Sequence, residues 1–172
     1  MRKPSRTTYM LVAVVLALAG CAAAGTTTAQ GNLAPLPKDL AIFPPGPDIP
    51  KEVAAFSGLW IGAWNLVGPR TGARLTLNAA LAVTKIERTP EGTYKAAVIS
   101  SWGPSPPEWG LPTASWVPLE GTIEDGVLRV PSYGASPNIA TYRLDGPTAL
   151  MATYTSRGGT WTDHGRLRRS GQ

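Results

Sequence analysis

From Val53 onward, apolar and polar residues alternate in short runs separated by turn-forming clusters. The run Arg74 to Ile86 shows this best. Leu75, Leu77, Ala79, Leu81 and Val83 share one parity, and Arg74, Thr76, Asn78 and Thr84 share the other, which predicts a half-buried antiparallel strand. The runs IATYRL and ALMATYT place Ala140, Tyr142 and Leu144, then Leu150, Ala152 and Tyr154, on common faces, joined by a hairpin at Asp145-Gly146-Pro147. Gly, Pro, Asn and Asp clusters near residues 68–72, 89–92, 103–112, 124–126, 131–138, 145–147 and 157–159 separate eight strand-like runs. These runs span about 58–67, 74–86, 93–102, 115–123, 127–131, 139–144, 148–156 and 160–169, and none carries a capped helical period.

Eight short strands within roughly 120 residues predict an all-β domain, an eight-stranded antiparallel up-and-down barrel, because about eight strands close around a filled interior or one small ligand. A β-sandwich built from the same strands is the alternative. The first run, FSGLWIGAW, alternates Phe56, Trp60 and Trp64 with Gly58 and Gly62 on one parity. In a narrow barrel, large and small inward residues alternate to fit the taper, and glycine admits a closely passing backbone.

Upstream the pattern changes. Met1 to Arg6 is basic, Tyr9 to Gly20 is an apolar run of about a dozen residues, too short for a span of ~20, and small residues follow. Leu18-Ala19-Gly20-Cys21 closes that run and resembles the lipobox of bacterial lipoproteins. The resemblance implies a signal peptide over residues 1–20, cleavage before Cys21 and lipid attachment to its thiol. Cys21 is the single cysteine, so lipidation also disposes of an otherwise unpaired exported thiol and leaves no internal disulfide. Two or three acyl chains hold a protein to a membrane, since each buried CH₂ contributes about 0.8 kcal/mol. Ala22 stands where lipoproteins retained at the inner membrane carry Asp, so the resemblance implies the cell envelope and, in a Gram-negative cell, the periplasmic face of the outer membrane.

Residues 21–52 are small and Pro-rich, with Pro35, Pro37, Pro44, Pro45, Pro47 and Pro50, and read as a semi-extended tether. At ~3.1 Å per residue it would reach on the order of 90 Å. Its apolar island, Leu40 to Phe43, either docks on the domain or is solvated. Residues 53–172 then form the β-barrel domain.

Gly58-Leu59-Trp60 resembles the G-x-W of the first strand of lipocalins and their calycin relatives, and the same triplet form recurs at 62–64 and 159–161. The resemblance implies a calycin-like barrel closed by an Arg from its far end packed across the Trp60 indole. Arg166, Arg168 and Arg169 are available for that role, and Arg169 shares the parity of Leu167.

Charge and chemistry narrow the function. The chain carries 16 Lys and Arg against 11 Asp and Glu, but removing Arg2, Lys3 and Arg6 with the leader leaves 13 against 11, too small a surplus for a nucleic-acid footprint. No G-x-S-x-G elbow, H-E-x-x-H pair or phosphate-binding glycine loop occurs, so no catalytic residue, metal site or cofactor is expected. The single histidine, His164, adjoins Asp163, but strand neighbours point to opposite faces, which argues against a triad with Ser100 or Ser156. Glu120, Glu124 and Asp125 flank a tight turn and read as a solvated edge. The aromatic residues carry more. Trp102, Trp109 and Trp116 bracket the longest loop, where Pro104, Pro106, Pro107 and Pro112 forbid a helix. In one arrangement Trp102 and Trp116 end strands and fill the core while Trp109 folds back as a lid. In the other their indoles meet a ligand. With Trp60, Trp64, Tyr142 and Tyr154 these form the candidate ligand-binding set. The expected function is a non-enzymatic envelope lipoprotein, anchored through Cys21, whose barrel binds a small apolar or amphipathic ligand or a lipid. The alternative is an interaction module presenting the Trp loop to cell-wall glycan or an envelope protein.

Overall fold

The computed structural model describes residues 34–68, 71–110, 113–132, 138–155 and 162–171. Cys21 and the leader, Ser156 and the third G-x-W triplet lie outside the described residues. A short helix α1 (Lys51–Ala54) leads into eight strands: β1 (Gly58–Val67), β2 (Arg74–Arg88), β3 (Tyr94–Trp102), β4 (Ser115–Glu124), β5 (Val127–Pro131), β6 (Ile139–Leu144), β7 (Ala149–Thr155) and β8 (Thr162–Arg169). Each pairs antiparallel with the next, and β8 pairs back onto β1, so the sheet is one closed up-and-down barrel. The ring through β1 and β8 excludes the two-sheet sandwich. The eight strands coincide with the eight alternating runs to within about two residues at each end.

Register follows from the alternation. Trp60 sits opposite Leu81 and Arg169, Gly62 opposite Ala79 and Leu167, and Trp64 opposite Leu77 and Gly165, so one parity of every strand faces inward. The bulge between Val83 and Lys85 in β2 re-phases that strand, which brings Ile86 inward opposite Ala96. The short connections at Thr89 to Thr93, at Asp125-Gly126 and at Asp145 to Pro147 lie at one end. The long connections β1–β2, β3–β4, β5–β6 and β7–β8 lie at the other. We call these the closed and the open end.

Two glycines of FSGLWIGAW have distinct geometric reasons. Gly58 has φ of 126°, and a Cβ there would stand 2.6 Å from Arg169 Nη1. At Gly62 a Cβ would meet the Arg166 carbonyl oxygen at 2.0 Å, so only glycine lets β8 lie that close to β1.

The Pro-rich segment, expected as a semi-extended tether up to residue 52 with its apolar island either docked or solvated, is docked on the domain. From Pro35 it runs along the outside of β2 and β3. Ser101 Oγ donates to the Pro35 carbonyl near the open end of β3, and Phe43 N–H donates to Thr84 O at 2.8 Å farther down β2. The strap then turns, buries Ile49 and Val53, and passes as α1 beneath the closed end to Phe56. Its cover explains why Ala80, Ala82 and Ser101, all of outward parity, are buried. The island Leu40 to Phe43 docks through its backbone, leaving the Ile42 and Phe43 side chains exposed.

Candidate functional site

The inner wall divides into two levels. At the closed level Trp60 is fully buried, its Nε1 donates to Phe56 O at 2.9 Å, and the Arg169 guanidinium lies over the indole at 4.1 Å from the ring centroid. That guanidinium is held by backbone carbonyls: Nη1 donates to Ser57 O and Nη2 to Ala55 O, both at 2.6 Å, and Nε to Pro147 O at 3.3 Å. Burial lowers the Arg169 pKa from its ordinary value, but its backbone acceptors and the indole face replace part of its lost hydration. Leu81, Val83, Val98, Ile123, Leu128 and Leu150 complete a sealed layer, each 2% exposed or less. Trp60 is thus enclosed on every side and offers no face to a ligand. The Arg169 position follows from its parity with Leu167.

Toward the open end the same inward parity becomes accessible. Trp64, Leu66, Leu75, Trp102, Val117 and Leu119 are all only partly buried, although each faces the barrel axis by its register. Trp64 meets Tyr142 and Tyr154 edge-on, with ring centroids 6.1 Å and 6.3 Å apart. Its indole lies against Gly165, where a Cβ would stand 2.9 Å from the ring. Tyr142 forms the floor of this cluster at 3% exposure, and its burial pushes the phenol pKa well above the ordinary value. The Tyr154 hydroxyl accepts from Asn138 Nδ2 at 2.7 Å and pairs with Ser132 Oγ at 3.2 Å, which ties the cluster to the start of β6 and the end of β5.

The structure therefore separates the seven aromatic residues of the candidate set. Trp64, Tyr142 and Tyr154 come together on the β1, β6 and β7 wall, and Trp102 faces inward from β3 with its Nε1 donating to Thr113 O at 2.9 Å. Trp109 lies half-buried in a single 3-10 turn, Pro107–Trp109, outside the barrel wall. Trp116 stands opposite Ser101, of outward parity, and is 41% exposed. The expectation that it fills the core is corrected, because β4 resumes from the loop one residue out of phase with the inward set. Trp60 is removed from the lining by the seal above it.

One residue of the inner wall escaped notice as such. Asp163 is 2% exposed, sits directly opposite Tyr154 on the inner face, and its Oδ1 accepts from Val67 N–H at 3.0 Å. The signal was present in TDHGRLRR, where Asp163 shares parity with Leu167 and Arg169. His164 points outward, exposed, opposite Asn65 and Thr153. Burial raises the Asp163 pKa above 3.8, opposed by the Val67 hydrogen bond and the nearby His164. The folded state therefore holds this proton more tightly than the unfolded chain. Its contribution to stability falls as pH rises from about 3.8 through the higher folded value, and is level above that. Asp163→Asn abolishes this component. Urea unfolding at several pH values from about 3 to 7 should show a variant-minus-wild-type difference that rises over the lower part of the range and then flattens. A difference independent of pH would show the carboxyl to be unperturbed.

No family model, curated protein or solved structure matches the chain. The geometry of the barrel is therefore the ground for a functional reading.

Proposed function

We propose that the protein is a lipid-anchored envelope lipoprotein whose barrel takes a small apolar or amphipathic ligand, or a lipid, into its open half. The observation that carries this reading is the change in exposure along one inward parity. Trp60 is at 0%, while Trp64, four residues on and facing the same way, is only partly buried, as are Leu66 and Leu75 around it. A barrel meant only as a scaffold gains by filling this level with larger side chains, since each apolar group removed from water contributes about 25 cal/mol per Å². Here the upper wall instead leaves aromatic and aliphatic side chains of inward parity partly exposed, and such surface is what lines small-molecule sites. No catalytic residue and no cofactor enter the proposal. The Tyr154 hydroxyl, only partly buried, supplies a polar group that would orient an amphipathic head.

Titration of the protein with a fatty acid and with a lysophospholipid, followed by tryptophan emission, tests the reading. A saturable change is expected, and Val117→Trp, which places an indole in the upper barrel, should abolish it while leaving the far-ultraviolet circular dichroism unchanged. The absence of any saturable response would overturn the pocket. A response to peptidoglycan fragments that survives Val117→Trp but is lost in Trp109→Ala would move the function to the long loop.

A further inference from the structure

The docked strap fixes where the anchor leaves the barrel. Because Pro35 is held by Ser101, one residue from the open end of β3, 13 residues separate Cys21 from Pro35, and the chain departs from the open end. Fully extended, that length spans at most about 50 Å, little more than half the reach of a tether running to residue 52. The mouth is the part of the domain to which the anchor is tied.

The two ends differ in surface chemistry in the same sense. Among the large apolar side chains left exposed, Val67 at 43%, Trp116 at 41% and Ile139 at 45% stand at the open ends of β1, β4 and β6, around the rim. Among the described residues, the exposed charges within a few residues of that rim include Arg74, Glu108 and Arg129. The closed end instead is densely charged with both signs, Glu52, Glu87, Glu91, Glu124, Asp125 and Asp145 standing among Lys51, Lys85, Arg88, Lys95, Arg143 and Arg168, with pairs such as Lys85 and Glu87 at 2.6 Å. The apolar rim is the end accepted at the headgroup boundary, whereas the densely charged closed end stays hydrated.

We propose that the open end is a bilayer-docking surface: the rim residues Val67, Trp116 and Ile139 rest on the phospholipid headgroups, and the aromatic mouth opens toward the membrane. This rests on the lipoprotein reading for its anchor. It also deepens that reading, since a mouth set on a bilayer takes its ligand from the membrane, and the ligand class becomes a single-chain or double-chain lipid.

The test uses the full-length lipidated protein reconstituted into vesicles of phosphatidylethanolamine and phosphatidylglycerol. Lipidation consumes the Cys21 thiol, so Val67→Cys, Ile139→Cys and Glu124→Cys each offer one site for an environment-sensitive fluorophore. With nitroxide-bearing lipid in the vesicles, the labels at 67 and 139 should lose emission and shift to the blue, and the label at 124 should do neither. Flotation of the vesicles is read on the same samples, with Cys21→Ser as the unlipidated control. Quenching at 124 equal to that at 67 and 139, or none at any site in protein that floats, overturns the orientation and leaves the pocket reading to its own titration. Wild-type protein that floats no better than Cys21→Ser removes the anchor and the proposal together.

Discussion

Replacing Trp60 by alanine lowers the unfolding free energy by about 3–5 kcal/mol, the range for truncating a buried aromatic side chain to alanine. The fully buried indole lies between the Arg169 guanidinium and the layer of Leu81 and Val83, and its Nε1 satisfies the Phe56 carbonyl. Truncation opens a cavity that neighbours held by barrel hydrogen bonds fill poorly. It also strips the guanidinium of its aromatic face while leaving it fixed to Ser57 O and Ala55 O. Denaturant titration of the chain from residue 34 onward checks this. A loss below about 1 kcal/mol would mean that the closed end repacks and is not the rigid seal described. Trp109→Ala, in the loop, should by comparison leave the midpoint nearly unmoved.

Gly62→Val is expected to be as damaging, for a different reason. Its Cβ would lie 2.0 Å from the Arg166 carbonyl oxygen and 2.7 Å from Leu167 Cα, so the obstacle is backbone and no side chain can turn aside. Overpacking in a core costs typically 1–3 kcal/mol, and a clash with the ladder itself belongs at or above the top of that range, about 3 kcal/mol or more. The register from Trp60 with Arg169 to Asn65 with His164 must open to admit the side chain, which breaks the ring at β1 and β8. Amide exchange should show protection lost along β1 and β8 first, with the β3–β4 ladder keeping more of it. A variant with wild-type stability and wild-type exchange at Ala63 and Arg166 would refute the close approach.

The strands were legible because their information is periodic. Leu75 to Val83 and Ala140 to Leu144 alternate strictly, and turn residues mark where the alternation stops, so bounds and inward faces could be read together. Closure was legible at one point, where Arg169 shares the parity of Leu167 and stands opposite Trp60. Depth along the barrel was not. Trp60 and Trp64 have the same parity and the same residue type, and only the position of α1, Phe56 and Arg169 makes one a plug and the other a lining residue. The phase of Trp116 was unreadable because a proline-rich loop separates it from Trp102 and carries no period across. The strap was unreadable for another reason: its attachment runs through the carbonyl of Pro35 and the amide of Phe43, and backbone groups leave no mark in a side-chain pattern.

The pairing of β1 with β8 also has a temporal meaning. Asn65 and His164, aligned across that seam, are 99 positions apart, so joining them closes a loop of about 100 residues at an entropic cost of roughly 4 kcal/mol before any contact rewards it. Every other strand pair is made between neighbours in the chain. A chain emerging amino-terminus first can zip from β1 to β7 as it appears, yet β1 keeps one unpaired edge throughout. Arg169 ends β8, the last strand of the barrel, so the seal over Trp60 forms only after the other seven strands have emerged. Until then the nascent sheet is open at a strand edge, the feature most prone to pairing with another chain. Folding this domain means protecting that edge until β8 arrives, and its folding time is set by one seam between the first and the last strand.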